Sequence, residues 1–177
     1  MLACGNPSRG DDALGPTLLE RLGRDQAEGA LTGCDLVTDF QLQVEHALDL
    51  IGRRLLIVVD ASVRAEAPYA FTPVRPEPGP SHSTHVVTPG ELLHTYARIT
   101  PQMQIQTGLP TRPGPCPEAW LLAIRGYRFE LGDGLSSAAA ANLDAAYAFL
   151  VGHLRDYVAA AEDAARPARS PALGTGR

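Results

Sequence analysis

Four side chains able to bind a metal or move a proton follow separate apolar segments of this sequence. Asp12 lies in the turn "GNPSRGDDALGP" (5–16), Asp39 and Asp60 each end a later apolar run, and His85 precedes a capped helix. Two carboxylates and an imidazole, with open positions for substrate atoms, suit zinc, iron or nickel better than magnesium. The spacing alone does not choose among these three metals.

Each residue also has an ordinary structural interpretation. Asp11 is expected to be a helix N-cap, a position at which Asp is preferred. Asp12 fits equally well as a first-turn charge that stabilises the helix dipole. Asp60 directly follows five apolar residues, so it must face a crevice or be paired, which favours a functional role. His82 and His85 lie in "SHSTH", where a solvent-exposed histidine without a role is common.

The elements that must position these side chains can be predicted from hydrophobic patterning. Thr88 as N-cap, Pro89 and Glu91 predict a helix from Thr88 to Ile99. The proline-rich segment 100–118 is expected to be irregular, apart from a brief pairing of "MQIQ". The other predicted strands are 2–4, 35–40, 54–62, 69–75 (an edge strand, because of Pro73) and 119–124, and the other predicted helices are 14–25, 44–51 and 136–165.

Strands that alternate with helices predict an α/β fold. We expect a three-layer α/β/α sandwich of the phosphorylase/hydrolase-like kind, with a mainly parallel, twisted sheet of about five strands. Residues 1–166 are predicted to form one domain, followed by a disordered tail at 167–177. In such sheets the ligand crevice lies beyond the carboxyl ends of the strands. The four candidate side chains are all expected at that edge.

Composition narrows the class of protein. The formal net charge of -5 argues against nucleic acid or an anionic membrane as a general partner, because both require a basic surface. The three cysteines are too widely spaced for a disulfide framework or a CxxC metal site, so a reducing, cytoplasmic location is expected. The turn 5–16 lacks GxGxxG and the Lys-Ser/Thr of a phosphate loop, which argues against a nucleotide site. Ser62 is outside a GxSxG nucleophile elbow, which argues against a serine hydrolase.

Four stretches together resemble the hydrogenase maturation proteases from about residue 3 to 155. They are "GNPSRGDDALGP", similar to the family's GNxLxxDDGxG, then "LLIVVDAS", "THVVTPGELL" and "WLLAIRGYRFELGDGLS". Ser8 stands at the family's leucine and Ala13 at its glycine. "DFQLQVEHA" replaces the Asp-Gly-Gly-Thr loop and looks like the QLxxExA loop of members that serve soluble or bidirectional hydrogenases.

The resemblance implies an endopeptidase that removes the carboxyl-terminal extension of a nickel-iron hydrogenase large-subunit precursor. The family's metal ligands correspond to Asp12, Asp60 and His85, which would read nickel already inserted in that precursor, and Asp39 aligns as a further catalytic residue. By the same resemblance, Asp11 secures the turn and helix start. Nickel would then arrive with the substrate, no permanently bound cofactor is expected, and the chain is expected to be a monomer.

Two alternatives remain at the level of sequence. The chain could bind the precursor as a nickel-site sensor or chaperone without cutting it. It could also be a self-contained metallohydrolase, which would require tight metal binding by the isolated protein.

Overall fold

A five-stranded sheet forms the centre of the computed structural model, which describes residues 1–29, 31, 33–79, 87–107 and 115–165. Its strand order is β2-β1-β3-β5-β4, and only β4 is antiparallel, pairing with β5. The strands are β1 (Leu2–Cys4), β2 (Val37–Asp39), β3 (Leu55–Ser62), β4 (Tyr69–Pro73) and β5 (Glu118–Arg125). The predicted α/β fold and mainly parallel sheet are therefore confirmed.

Helices cover both faces of this sheet. The helices are α1 (Leu14–Ala27), α2 (Pro89–Thr107) and α3 (Ser137–Ala165), with 3-10 helices at Gly10–Ala13 and Val44–Leu50. One buried cluster joins α1 and α3 to the sheet through residues such as Leu18, Leu150 and Val59. A second cluster joins α2 and the 3-10 helix Val44–Leu50 to the opposite face through residues such as Leu92 and Val58.

The alternation of β3 explains how its residues reach both layers. Ile57 and Val59 belong to the cluster under α1 and α3, whereas Leu56 and Val58 belong to the cluster under α2. Successive strand side chains point to opposite faces, so Asp60 shares the α2 face with Val58. The apolar run of β3 is thus the pattern of a strand covered on both sides.

The start of α2 follows the prediction, but its end does not. The backbone N–H of Thr88 donates to Glu91 Oε2 at 2.6 Å, and the N–H of Glu91 donates to Thr88 Oγ1 at 3.2 Å, a reciprocal capping box. The helix then continues through Pro101 to Thr107, so the expectations of irregular backbone after residue 100 and of a brief strand at "MQIQ" were wrong there. Proline removes one helical hydrogen bond but keeps a helical φ, so it did not end this helix.

The remaining predictions concern the ends and edges of the fold. Pro73 ends β4, which is the edge strand that was predicted. The predicted tail, 167–177, lies outside the described residues. No helix in the described part of the chain has both the length and the apolar character needed to span a membrane.

Candidate functional site

The sheet has a topological switch point between β1 and β3. From β1 the chain passes through α1 to β2 on one side, and from β2 it returns to β3 on the other side. Connections that leave in opposite directions open a crevice beyond the carboxyl ends of the two strands. Cys4 ends β1 and pairs with Asp39, while Ala3 pairs with Val59, which immediately precedes Asp60. The strands therefore bring Asp39 and Asp60 to this crevice.

Asp12 reaches the same crevice from a tight loop. Its Oδ2 accepts the backbone N–H of Asn6 at 2.8 Å, which ties the carboxylate to the residues that follow β1. Gly5 has φ +141°, and a Cβ there would lie 1.9 Å from the Asp12 carbonyl oxygen. Only glycine permits this close approach, so the loop geometry and the position of Asp12 depend on Gly5.

Asp60 is partly buried and interacts electrostatically with Asp12. Burial raises the pKa of Asp60 to about 6, a hydrogen bond from Ala61 opposes the rise, and the charge of Asp12 adds to it. Neither Asp12 nor Asp60 forms a salt bridge with another described residue. Two uncompensated carboxylates that repel each other form a place where a cation would be favoured.

Asp39 is held differently. Its Oδ1 accepts the backbone N–H of Phe40 at 2.6 Å, and its Oδ2 accepts Gln43 Nε2 at 3.1 Å. His46 Nε2 lies 3.4 Å from the same Oδ2. The carboxylate is therefore held by Phe40 and Gln43, which precede the 3-10 helix Val44–Leu50, and faces His46 in the first turn of that helix.

Cys4 lies among these acids, and sequence reasoning did not include it in the site. Burial raises the pKa of its thiol to about 12, with further contributions from the charges of Asp60, Asp39 and Asp12. The charges of all three carboxylates thus act on this one thiol. Its place as the last residue of the first strand was the signal that could have identified it.

Asp11 does not cap its own helix, so that prediction was wrong. It is fully buried, and no side chain caps either Gly10–Ala13 or α1. Its carboxylate instead accepts the backbone N–H groups of Tyr127, Arg128 and Ser136, at 2.7, 2.9 and 2.7 Å, and the Ser136 hydroxyl at 2.9 Å. Burial raises the pKa of Asp11, but these hydrogen bonds outweigh it and leave the pKa below its usual value. Asp11 therefore joins the Asp12 loop to the segment between β5 and α3.

Backbone hydrogen bonds reinforce this connection. The N–H of Asp11 donates to the Arg128 carbonyl at 2.7 Å, and the N–H of Gly10 donates to the Asp133 carbonyl at 3.1 Å. A Cβ on Gly10, which has φ +50°, would lie 2.5 Å from the Arg128 carbonyl oxygen. The two segments consequently support the position of Asp12 as one unit.

The third expected ligand cannot be located. His85 and its neighbour His82 lie outside the described residues, and the chain is described again from Val87. Within the described ranges, no three His, Cys, Asp or Glu side chains are arranged as a metal site. The structure thus brings together Asp12, Asp39 and Asp60 of the four candidates.

The fold is shared with solved proteases. The structure of the endopeptidase HycI from Escherichia coli aligns with a TM-score of 0.56 and 17% identity over 86% of this chain and 88% of that chain. The hydrogenase maturating endopeptidase HybD from E. coli gives 0.53 and 21% over 88% and 92%. The [NiFe] hydrogenase maturation protease HycI from Thermococcus kodakarensis KOD1 gives 0.52 and 18% over 87% and 91%.

No protein-family model and no curated protein matches the sequence. The likeness to the solved proteases is therefore one of structure. The resemblance to the hydrogenase maturation proteases indicated by the sequence motifs is confirmed at the level of the fold.

Proposed function

We propose that this chain is an endopeptidase of hydrogenase maturation, which removes the carboxyl-terminal extension of a nickel-iron hydrogenase large-subunit precursor after nickel insertion. The observation that carries the proposal is the approach of Asp12 and Asp60 at the switch point, without a salt-bridge partner among the described residues. The shared fold supports the same assignment, because solved relatives of that fold are named as hydrogenase maturation proteases.

In this proposal Asp12, Asp60 and His85 bind the nickel that the precursor carries. A divalent cation would compensate the repulsion between the two carboxylates and favour the ionised form of Asp60. A precursor without nickel would leave that repulsion in place and would lose the charge-assisted contacts. Nickel in the precursor would therefore strengthen the binding of the precursor, and cleavage would follow that binding.

The test is trimming of a purified, nickel-loaded precursor, followed by mass spectrometry of the large subunit. We expect the wild-type protein to shorten the nickel-loaded form and not the nickel-free form. The variants Asp12→Asn, Asp60→Asn and His85→Ala should trim at least about a hundredfold more slowly, the range expected for essential polar groups. Binding without shortening by the wild-type protein would instead support a sensor or chaperone.

Two matched variants control for charge and for loss of a ring. Asp49→Asn changes an exposed acid near the amino terminus, and His94→Ala changes a partly buried histidine of α2. Both should trim like the wild type. Equal trimming by all five variants would reject the assigned roles. Stoichiometric metal retained by the isolated protein after dialysis would instead favour the self-contained metallohydrolase.

A further inference from the structure

Of the three candidate carboxylates Asp12, Asp39 and Asp60, Asp39 has side-chain partners as well as a backbone donor among the described residues. Phe40 donates to Oδ1, whereas Gln43 Nε2 and His46 Nε2 both face Oδ2, at 3.1 and 3.4 Å. A carboxylate oxygen has two lone-pair sites. Among the described residues Oδ1 has one donor, so it keeps a site for a further proton.

The proton of His46 is placed by a second contact. Its Nδ1 accepts the backbone N–H of Gln43 at 3.0 Å. That nitrogen must therefore carry a lone pair, and the neutral ring holds its proton on Nε2, the atom next to Asp39. The His46 side chain is 12% exposed and that of Asp39 is 29% exposed, so solvent competes little for the imidazole and can still reach the carboxylate.

Asp39 also lies at the same edge of the sheet as Asp60, one of the acids proposed to bind nickel. Cys4 pairs with Asp39 on β2, and on its other neighbouring strand, β3, Asp60 lies one place beyond the Ala3 and Val59 pair. Neighbouring strands are about 4.8 Å apart and β1 lies between β2 and β3, so the backbones of Asp39 and Asp60 are separated by two strand spacings, about 10 Å. The thiol of Cys4 senses the charges of both.

We infer that His46 is a positioning residue for the cleavage, holding Asp39 as the proton acceptor for the hydrolytic water. The inference rests on the proposed function. The water oxygen bonds to the scissile carbonyl carbon and its proton passes to Asp39. As the carbon–nitrogen bond breaks, that proton passes to the departing amine, so Asp39 is regenerated.

Two substitutions separate positioning from simple structural support. In His46→Asn, the side-chain amide oxygen can take the place of Nδ1 and accept the backbone N–H of Gln43, but the side chain is too short to reach Asp39. The longer amide of His46→Gln can place a donor at the Nε2 position. We expect His46→Asn to lower kcat about tenfold or more with KM for the nickel-loaded precursor unchanged, and His46→Gln to stay within about threefold of the wild type.

Precursor trimming and thermal unfolding of both variants decide the matter. Two outcomes would overturn the inference and leave the proposed function standing, provided that the wild type trims. In the first, His46→Asn is as active as the wild type. In the second, both variants are equally impaired and equally destabilised. No trimming by the wild type would reject both. Imidazole nitrogen NMR of the wild-type protein provides a readout independent of cleavage, and a proton on Nδ1 in the neutral ring would also overturn the inference.

Discussion

Cys4 and Asp39 are paired across the parallel strands β1 and β2, which places a buried thiol beside a partly exposed carboxylate. The charges of Asp12 and Asp60, which belong to two other segments of the chain, also act on this thiol. The pKa of Cys4 is therefore affected by all three acids. Its chemistry provides the first of four tests of the site and its supports.

Cys4 should be unreactive in the folded protein. Because burial and the neighbouring acids raise its pKa to about 12, only about one thiol in ten thousand is ionised at pH 8, and the thiolate is the nucleophile. Iodoacetamide should label the exposed Cys116 well before Cys4, as followed by peptide mass spectrometry. Labelling in urea, where Cys4 should react readily, is the control. Rapid labelling of native Cys4 would contradict the described burial.

Asp60→Asn should make the protein more stable while it slows trimming. The folded state raises the pKa of Asp60 to about 6 from an ordinary value of about 3.9, so the folded state binds the proton more tightly than the unfolded state. The ionised form thus costs up to about 3 kcal/mol above pH 6, and this cost falls as the pH decreases from 6 towards 4. We expect Asp60→Asn to raise the free energy of unfolding by about 2 kcal/mol at pH 7.5.

Urea denaturation at pH 7.5 and pH 4.5 measures this difference. The advantage of Asp60→Asn should shrink at pH 4.5, where wild-type Asp60 is mostly protonated in the folded state. Asp49→Asn, at an exposed position, should change stability little at either pH. An Asp60→Asn protein that is less stable than the wild type at pH 7.5 would indicate that Asp60 has a stabilising partner.

Asp11→Ala should destabilise the fold strongly. The substitution leaves the partly buried N–H groups of Tyr127, Arg128 and Ser136 without their charged acceptor, for a cost of about 3 kcal/mol. Because the folded state lowers the pKa of Asp11, its contribution is complete above the ordinary pKa of about 3.9 and is lost as the pH falls through the folded value. Urea denaturation should therefore show the variant and the wild type converging below about pH 4.

Asp133→Ala is the matched control for Asp11→Ala. It removes an exposed ion pair with Arg128, at 2.5 Å, from the same segment. Exposed pairs contribute about 0 to 1 kcal/mol, so this variant should lose far less stability. Similar losses in the two variants would show that the buried hydrogen bonds of Asp11 are not what holds the segment.

Two glycines of α1 should respond oppositely to alanine. A Cβ on Gly15 would lie 2.6 Å from the Cys4 carbonyl oxygen and 2.9 Å from that of Val59, so Gly15→Ala should push the helix from the sheet and cost about 1 to 3 kcal/mol. A Cβ on Gly23 would meet only Leu36 Cδ1, at 3.7 Å, so Gly23→Ala should gain about 0.5 to 1 kcal/mol of helix stability. Thermal unfolding followed by circular dichroism distinguishes the signs.

Local patterns were sufficient to predict most of the framework. The apolar run of β3 and the Thr88 to Glu91 capping box are properties of a few consecutive residues, and both are present as expected. The strand-end rule likewise places Asp39 at the end of β2, but β3 continues two residues beyond Asp60 to Ser62, because it still pairs there with β5. The end of α2 was missed because Pro101 was read as a stop rather than as a tolerated helical residue.

The supports of the site were harder to predict, for different reasons. The hydrogen-bond partners of Asp11, Tyr127 and Ser136, are 116 and 125 residues further along the chain, and no local sequence pattern identifies a hydrogen bond over such a separation. The contact of His46 with Asp39 is local, and the "DFQLQVEH" segment contains every group involved. It was missed because the backbone turn that brings the imidazole back to the strand end is not visible in residue types alone.

The two outer strands of the sheet have a consequence for how a peptide can be held. β2 has only three residues, and β4, at the other border, ends in a proline without an N–H group. Neither border offers a long row of free amides and carbonyls, which also protects the protein from sheet-mediated aggregation. We expect a polypeptide substrate to be gripped across the top of the strands by loops and side chains, and not to join as a sixth strand.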